Sequence, residues 1–188
     1  MEKALSDHGH NSSHTSHCGP DALGHGDTSR GPVALTAYSG VPPGTGLVTG
    51  VLVALLLNAI GEEMGWRSYL LPGLVSLGKS RAALVVAAMW AFWHIPLFFL
   101  PFGLGSDVLG FAIIGWVIGL TAGSYVLGWV WFTSGGSITA VALWHLLFNY
   151  ASSTTATHGA PAAAASIAVM VMALWIAVIW WRQGHIDD

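Results

Sequence analysis

From Leu47 onward the chain alternates long apolar runs with short breaks rich in Gly, Pro, Ser and charged residues. The runs cover, approximately, Leu47–Leu71, Ala82–Leu100, Val108–Phe132, Ile138–Tyr150 and Pro161–Trp181. A bilayer core is crossed by about 20 helical residues, and four of the five runs come close to that. The fourth is short. Either it extends through Gly135–Gly136 and Ser152–Ser153, or it reaches only part of the depth. None shows the alternating polarity a closed strand barrel requires, so these are helices. The expected fold is all-α: a polytopic helical membrane core over residues 47–182 with about five transmembrane helices, and a short tail at 183–188.

Residues 1–46 read differently. They are polar, rich in Gly, Ser and His, and end in the breaker cluster Val41–Pro42–Pro43–Gly44–Thr45–Gly46. No apolar stretch lies between a basic start and a cleavage site, so a disordered tail is expected rather than a signal peptide. His8, His10, His14, His17 and His25 could bind a transition metal weakly alongside Cys18. A plain solvated tail is the reading adopted.

Composition supports the membrane assignment. The 188 residues are 54% hydrophobic and 8% charged, with mean hydropathy +0.63, whereas soluble domains carry about 25% charged residues. A net charge of −3 with six Lys and Arg in all gives no phosphate-binding surface, which excludes nucleic acid as a partner. The single cysteine, Cys18, excludes an intrachain disulfide. Lys79 and Arg81 lie between the first two runs and Arg182 follows the fifth, while Leu100–Asp107 and Ala151–Ala160 contain neither Lys nor Arg. With five crossings these basic sites share one side, which is expected to be cytoplasmic. The amino-terminal tail is then outside and the carboxyl terminus inside.

Candidate chemistry sits within the apolar runs. Glu62 and Glu63 are adjacent in the stretch Leu56–Leu57–Asn58–Ala59–Ile60–Gly61–Glu62–Glu63–Met64–Gly65–Trp66–Arg67. A carboxylate at bilayer depth costs roughly 2.5–3.5 kcal/mol even on lenient scales, so intramembrane acids call for a partner or a function. Arg67, His94 and His145 accompany them. At ~1.5 Å per residue, Glu62 and Glu63 lie roughly 12–14 Å in from Leu71, His94 roughly 18 Å in from Ala82, and His145 roughly 11 Å in from Ile138. Three segments thus bring ionisable groups to similar depth.

Spacing separates their roles. Glu63 and Arg67 are four apart and can pair on one helical face. Glu62 is rotated by about 100° from Glu63, which leaves it free to point into the bundle. His145 and Asn149 are also four apart, as are Trp90 and His94. Bland alternatives stand beside each. The Glu63–Arg67 pair serves equally well as a folding clamp, a lone histidine as an interhelical hydrogen-bond donor, Asn58 and Asn149 as packing groups, and Trp66 and Trp144 as packing or interface anchors. Glu62 resists such a reading best, because its neighbour already takes the obvious partner.

Glu62–Glu63–x–x–x–Arg67, an aromatic–x–x–x–His94, and His145–x–x–x–Asn149 together resemble the three-motif signature of the CPBP family. That family comprises type II CAAX prenyl endopeptidases and bacterial CAAX-protease-like and bacteriocin-immunity proteins. The flanks Gly61–Glu62–Glu63–Met64–Gly65–Trp66–Arg67–Ser68–Tyr69–Leu70–Leu71–Pro72 and Trp93–His94–Ile95–Pro96–Leu97–Phe98–Phe99 are similar to its bacterial members. The resemblance covers about residues 50–150. It departs at Trp90, where Phe is commoner, and before the first motif, where further membrane helices are usual.

The resemblance implies an intramembrane endopeptidase acting on a membrane-associated protein or peptide in the bilayer. Glu62 is then the general base that polarises a water, helped by His94. His145 and Asn149 are oxyanion donors, and Glu63 and Arg67 are supporting residues. Glu62, His94 and His145 are also the candidate ligands for zinc or another divalent ion. The reading adopted here has no obligatory metal. Two alternatives differ in class: an inactive family member acting as a membrane immunity or scaffold protein, and a transporter whose acids and histidines pass protons or ions. A transporter reading expects internal repeats or broken helices, and no internal repeat is present.

Overall fold

The computed structural model describes residues 45–99, 111–154, 157 and 159–184. The expectations for the histidine-rich tail fall outside these residues. Among them every regular element is helical. α1 runs over Leu47–Leu77, α2 over Lys79–Trp93, α3 over Phe111–Thr133, α4 over Ile138–Ser153 and α5 over Ala160–Gly184. Four of these segments are long and apolar enough to cross a membrane, α2 together with its extension to Phe99. The chain is therefore an all-α polytopic membrane protein.

α4 is the exception in length. Its 16 residues rise only about 24 Å, short of the ~30 Å core. Of the two expectations for this segment, extension through Gly135–Gly136 does not occur. Both glycines adopt positive φ, at 69° and 83°, and end α3 in a tight turn, with the Gly136 N–H donating to the Trp131 carbonyl at 2.9 Å. Ser137 then caps α4, its side-chain oxygen accepting from the Ala140 N–H at 3.3 Å. At the other end the helix extends past Tyr150 to Ser153.

α1 is one segment with a non-uniform interior. An α-helical start, Leu47–Val53, gives way to a π-helical stretch over Ala54–Gly61 and a second over Met64–Leu70. Such widened turns are rare and usually single, and they gather at functional sites. Here they flank Glu62 and Glu63 on both sides. At Gly61 the π geometry brings the Leu56 carbonyl to 3.3 Å from where a Cβ would stand, so glycine suits that position. Beyond the second stretch the chain continues past Pro72, which sits in the opening of a fresh α-turn where a missing N–H is tolerated. The segment ends at Leu77, six residues later than the hydrophobic run suggests.

α3 is the central element, packing against α2, α4 and α5. Every residue from Ala122 to Gly128 is buried. Tyr125, Val126, Val169, Ala173, Ile176 and Trp180 form the core between α3 and α5. Two hydrogen bonds fasten α3 to α2, from Ser124 Oγ to the Ala83 carbonyl at 2.8 Å and from Tyr125 OH to the Ser80 carbonyl at 3.3 Å. The first π stretch of α1 packs on α4. Glu62, the central residue of α1, is thereby set against the helix that carries His145 and Asn149.

Candidate active site

The two adjacent glutamates enter different environments. Glu63 is fully buried, and its Oε1 accepts from Arg67 Nη1 at 2.9 Å and from His145 Nδ1 at 2.7 Å. Arg67 is fully buried as well, with its guanidinium 4.5 Å from the centre of the Trp90 ring. The second oxygen of Glu63 and the Nε and Nη2 groups of Arg67 make no hydrogen bond among the described residues. The ion pair is therefore a single-point contact rather than a bidentate one.

Glu62 is only partly buried and lines a cavity. Its Oε2 accepts a 2.6 Å hydrogen bond from the indole N–H of Trp90. The expectation that Glu62 points into the bundle agrees with this geometry, while its carboxylate remains within electrostatic reach of Arg67. Its partner is not a local one: Trp90 is 28 residues away on another helix, and sequence spacing alone makes it a ring beside an imidazole. That ring contact exists too: Trp90 lies edge-on to both His94 and His145, each with centroids 5.5 Å apart.

His94 is not inside a continuous helix, contrary to the uninterrupted run Ala82–Leu100. α2 ends at Trp93, His94 forms the turn, and a 3₁₀ stretch follows over Ile95–Phe99. Pro96 explains the break, since it lacks an N–H and would crowd the carbonyl four residues earlier. The break has a use. His94 Nδ1 lies 2.7 Å from the Trp90 carbonyl and donates to it, which leaves Nε2 as the acceptor of the neutral ring. His145 is held in the same way by the Glu63 carboxylate.

A cavity of about 740 Å³ gathers the groups. Its wall includes Glu62 and Asn58 from α1, His94 from the end of α2, and His145 and Asn149 from α4. The rest of the wall is largely apolar, with Trp93, Trp116, Leu120 and Phe148 among its residues, and Gly115 and Gly119 of α3 also line it. Of the residues singled out in the sequence, Glu62, His94, His145 and Asn149 meet in this cavity. Glu63 and Arg67 stand behind it, joined to it through His145 and Trp90.

This arrangement can polarise a water and move a proton. Glu62 retains one carboxylate oxygen outside its indole bond. In the neutral form the imidazoles of His94 and His145 both offer Nε2 as an acceptor. His145 becomes a donor at Nε2 only when that nitrogen also carries a proton. Asn149 carries an amide that donates in either case.

Anchored Nδ1 groups with free Nε2 atoms are also what metal-binding histidines show. A zinc ion, however, needs its donors within about 2.0–2.2 Å of a common point. Among the described residues no three His, Cys, Asp or Glu side chains are grouped to hold one ion. The described residues as placed do not fit a metal.

Known proteins agree with the motif reading. The family model for type II CAAX prenyl endopeptidase Rce1-like proteins matches residues 44–151, which include every site residue named above. A CAAX prenyl protease 2 from Methanococcus maripaludis is 27% identical over 103 residues, covering 53% of this chain and 38% of that protein. The match thus spans well under two thirds of that relative. No solved structure matches the chain significantly. With more than half of its length matched by the family model, and the motif residues within that match, the chain belongs to the type II CAAX prenyl endopeptidase Rce1-like family.

Proposed function

We propose that this protein is an intramembrane endopeptidase that hydrolyses a peptide bond of a membrane-associated protein or peptide with a water activated by Glu62. One observation carries the reading: Glu62, His94, His145 and Asn149, from α1, the end of α2 and α4, share the wall of one largely apolar cavity. Peptide hydrolysis needs an activated water, a base and donors for the tetrahedral oxyanion. The free oxygen of Glu62 takes the proton from water, with His94 Nε2 as a second acceptor beside it. The Asn149 amide donates to the oxyanion, and His145 Nε2 does so as well when the ring carries a proton from solvent, which it keeps through the step. The proton held by Glu62 then passes to the departing amine. Glu63 and Arg67 act at one remove, by holding His145 and the middle of α1.

The apolar wall suits a substrate segment already in the bilayer. The native setting proposed is the plasma membrane of a bacterium or archaeon. Chelation is expected to leave activity unchanged, and activity that vanished with chelator and returned with zinc would overturn the metal-free mechanism. The reading is tested by reconstituting the full chain in liposomes with a panel of membrane-associated peptides and mapping products by mass spectrometry. Paired fragments whose masses add up to the substrate plus one water support it. Intact peptides throughout, with folded protein, favour the alternative of a catalytically inactive membrane immunity or scaffold protein.

A further inference from the structure

We infer that Trp90 is the positioning residue of this site: its indole N–H fixes which oxygen of Glu62 takes the proton from water. The inference rests on the reading of Glu62 as the base. A carboxylate on a flexible side chain presents two equivalent oxygens and rotates between them. The 2.6 Å contact from Trp90 Nε1 to Glu62 Oε2 occupies one oxygen with a short, charge-assisted bond and leaves the other for chemistry.

Trp90 is itself held firmly. It is only 5% exposed, its face carries the Arg67 guanidinium at 4.5 Å, and its edges meet His94 and His145. Gly123 of α3 adds no side chain on that side, and a Cβ there would stand 3.5 Å from the ring. The same residue also accepts from His94 Nδ1 through its carbonyl. The N–H, the ring and the carbonyl of Trp90 thus each act on a different ionisable residue. A ring without the N–H would keep the last two contacts and lose only the first.

The test uses full-length protein with ¹⁵N-labelled tryptophan in lipid nanodiscs. The indole resonance absent from Trp90→Phe identifies Trp90, and Glu62→Gln should shift that resonance upfield, as expected for loss of a charged acceptor. Kinetics on the peptide cleaved fastest in the liposome assay should show kcat reduced by about 10²-fold in Trp90→Phe, the scale of a misplaced catalytic group, with KM little changed. Replacing the indole of Trp90 by benzothiophene keeps shape and removes the N–H, and should reproduce the kcat loss even where the Phe protein folds poorly. An unmoved Trp90 resonance in Glu62→Gln overturns the hydrogen bond. A shifted resonance with wild-type kcat in the benzothiophene protein overturns the positioning role while leaving Glu62 as the base. Full activity of Glu62→Gln is a different result, and it removes the base reading together with the inference.

Discussion

Glu62 and Glu63 are neighbours in sequence, and the turn of the helix alone sends them to separate surroundings. Glu63 faces Arg67 and His145 in full burial, while Glu62 reaches the cavity with Trp90 as its partner. The first half of this was legible, because a pair four residues apart on one helix is local information. The second half was not. The contacts of Glu62 with Trp90 and of Glu63 with His145 join residues 28 and 82 positions apart, and no periodicity encodes which faces of separate helices meet. The one available signal was that position 90 holds an indole, with a donor to place, rather than a plain ring. Removing one partner of a buried ion pair costs about 3–5 kcal/mol. Arg67→Ala is therefore expected to lower the yield of folded protein and its melting temperature well below those of Glu62→Gln. Equal yields and melting temperatures for the two would contradict the pairing. Asn149→Ala should lower kcat by about 10²–10³ if its amide is a principal oxyanion donor, with the fold retained. An unchanged kcat would remove it from that role.

At the scale of elements, the hydrophobic runs located all five helices but misjudged where and how some of them end. Pro96 stops α2 at Trp93 and sets His94 in a turn, and this signal was present two residues after the histidine. The π stretches around Glu62 and Glu63 had no such signal, since nothing in composition distinguishes a widened turn from an α-turn in an apolar run. Gly135–Gly136 sets the start of α4 by conformation rather than polarity. At Gly136 a Cβ would stand 3.3 Å from the Trp131 ring, at φ +83°. A left-handed residue with a side chain costs roughly 1–2 kcal/mol, so Gly136→Ala should lower the melting temperature in detergent. An unaltered melting temperature would show that the turn can take another conformation at no cost.

Across the whole molecule, Lys79, Arg81 and Arg182 gather at one end of the described bundle. Lys79 lies 5.4 Å from the Phe132 ring, and that ring meets Trp180 at 5.9 Å. The start of α2, the end of α3 and the end of α5 therefore lie together, with Arg81 and Arg182 beside them in sequence. This places Lys79, Arg81 and Arg182 at one end, as five crossings would, and by the positive-inside rule we propose that end as the cytoplasmic one. In intact cells a membrane-impermeant maleimide should label Cys18 directly. A cysteine at Gln183, in a Cys18→Ser background, should react only after permeabilisation, and the reverse pattern would invert the orientation. The central claim is that Glu62 is the base of an intramembrane hydrolysis, and the direct measurement is the turnover of Glu62→Gln against wild type in the same liposomes, at matched amounts of folded protein. The substitution keeps the shape of the side chain and removes proton acceptance, so turnover should fall by about 10²–10⁴ with the melting temperature nearly unchanged. Wild-type turnover in Glu62→Gln would contradict the account.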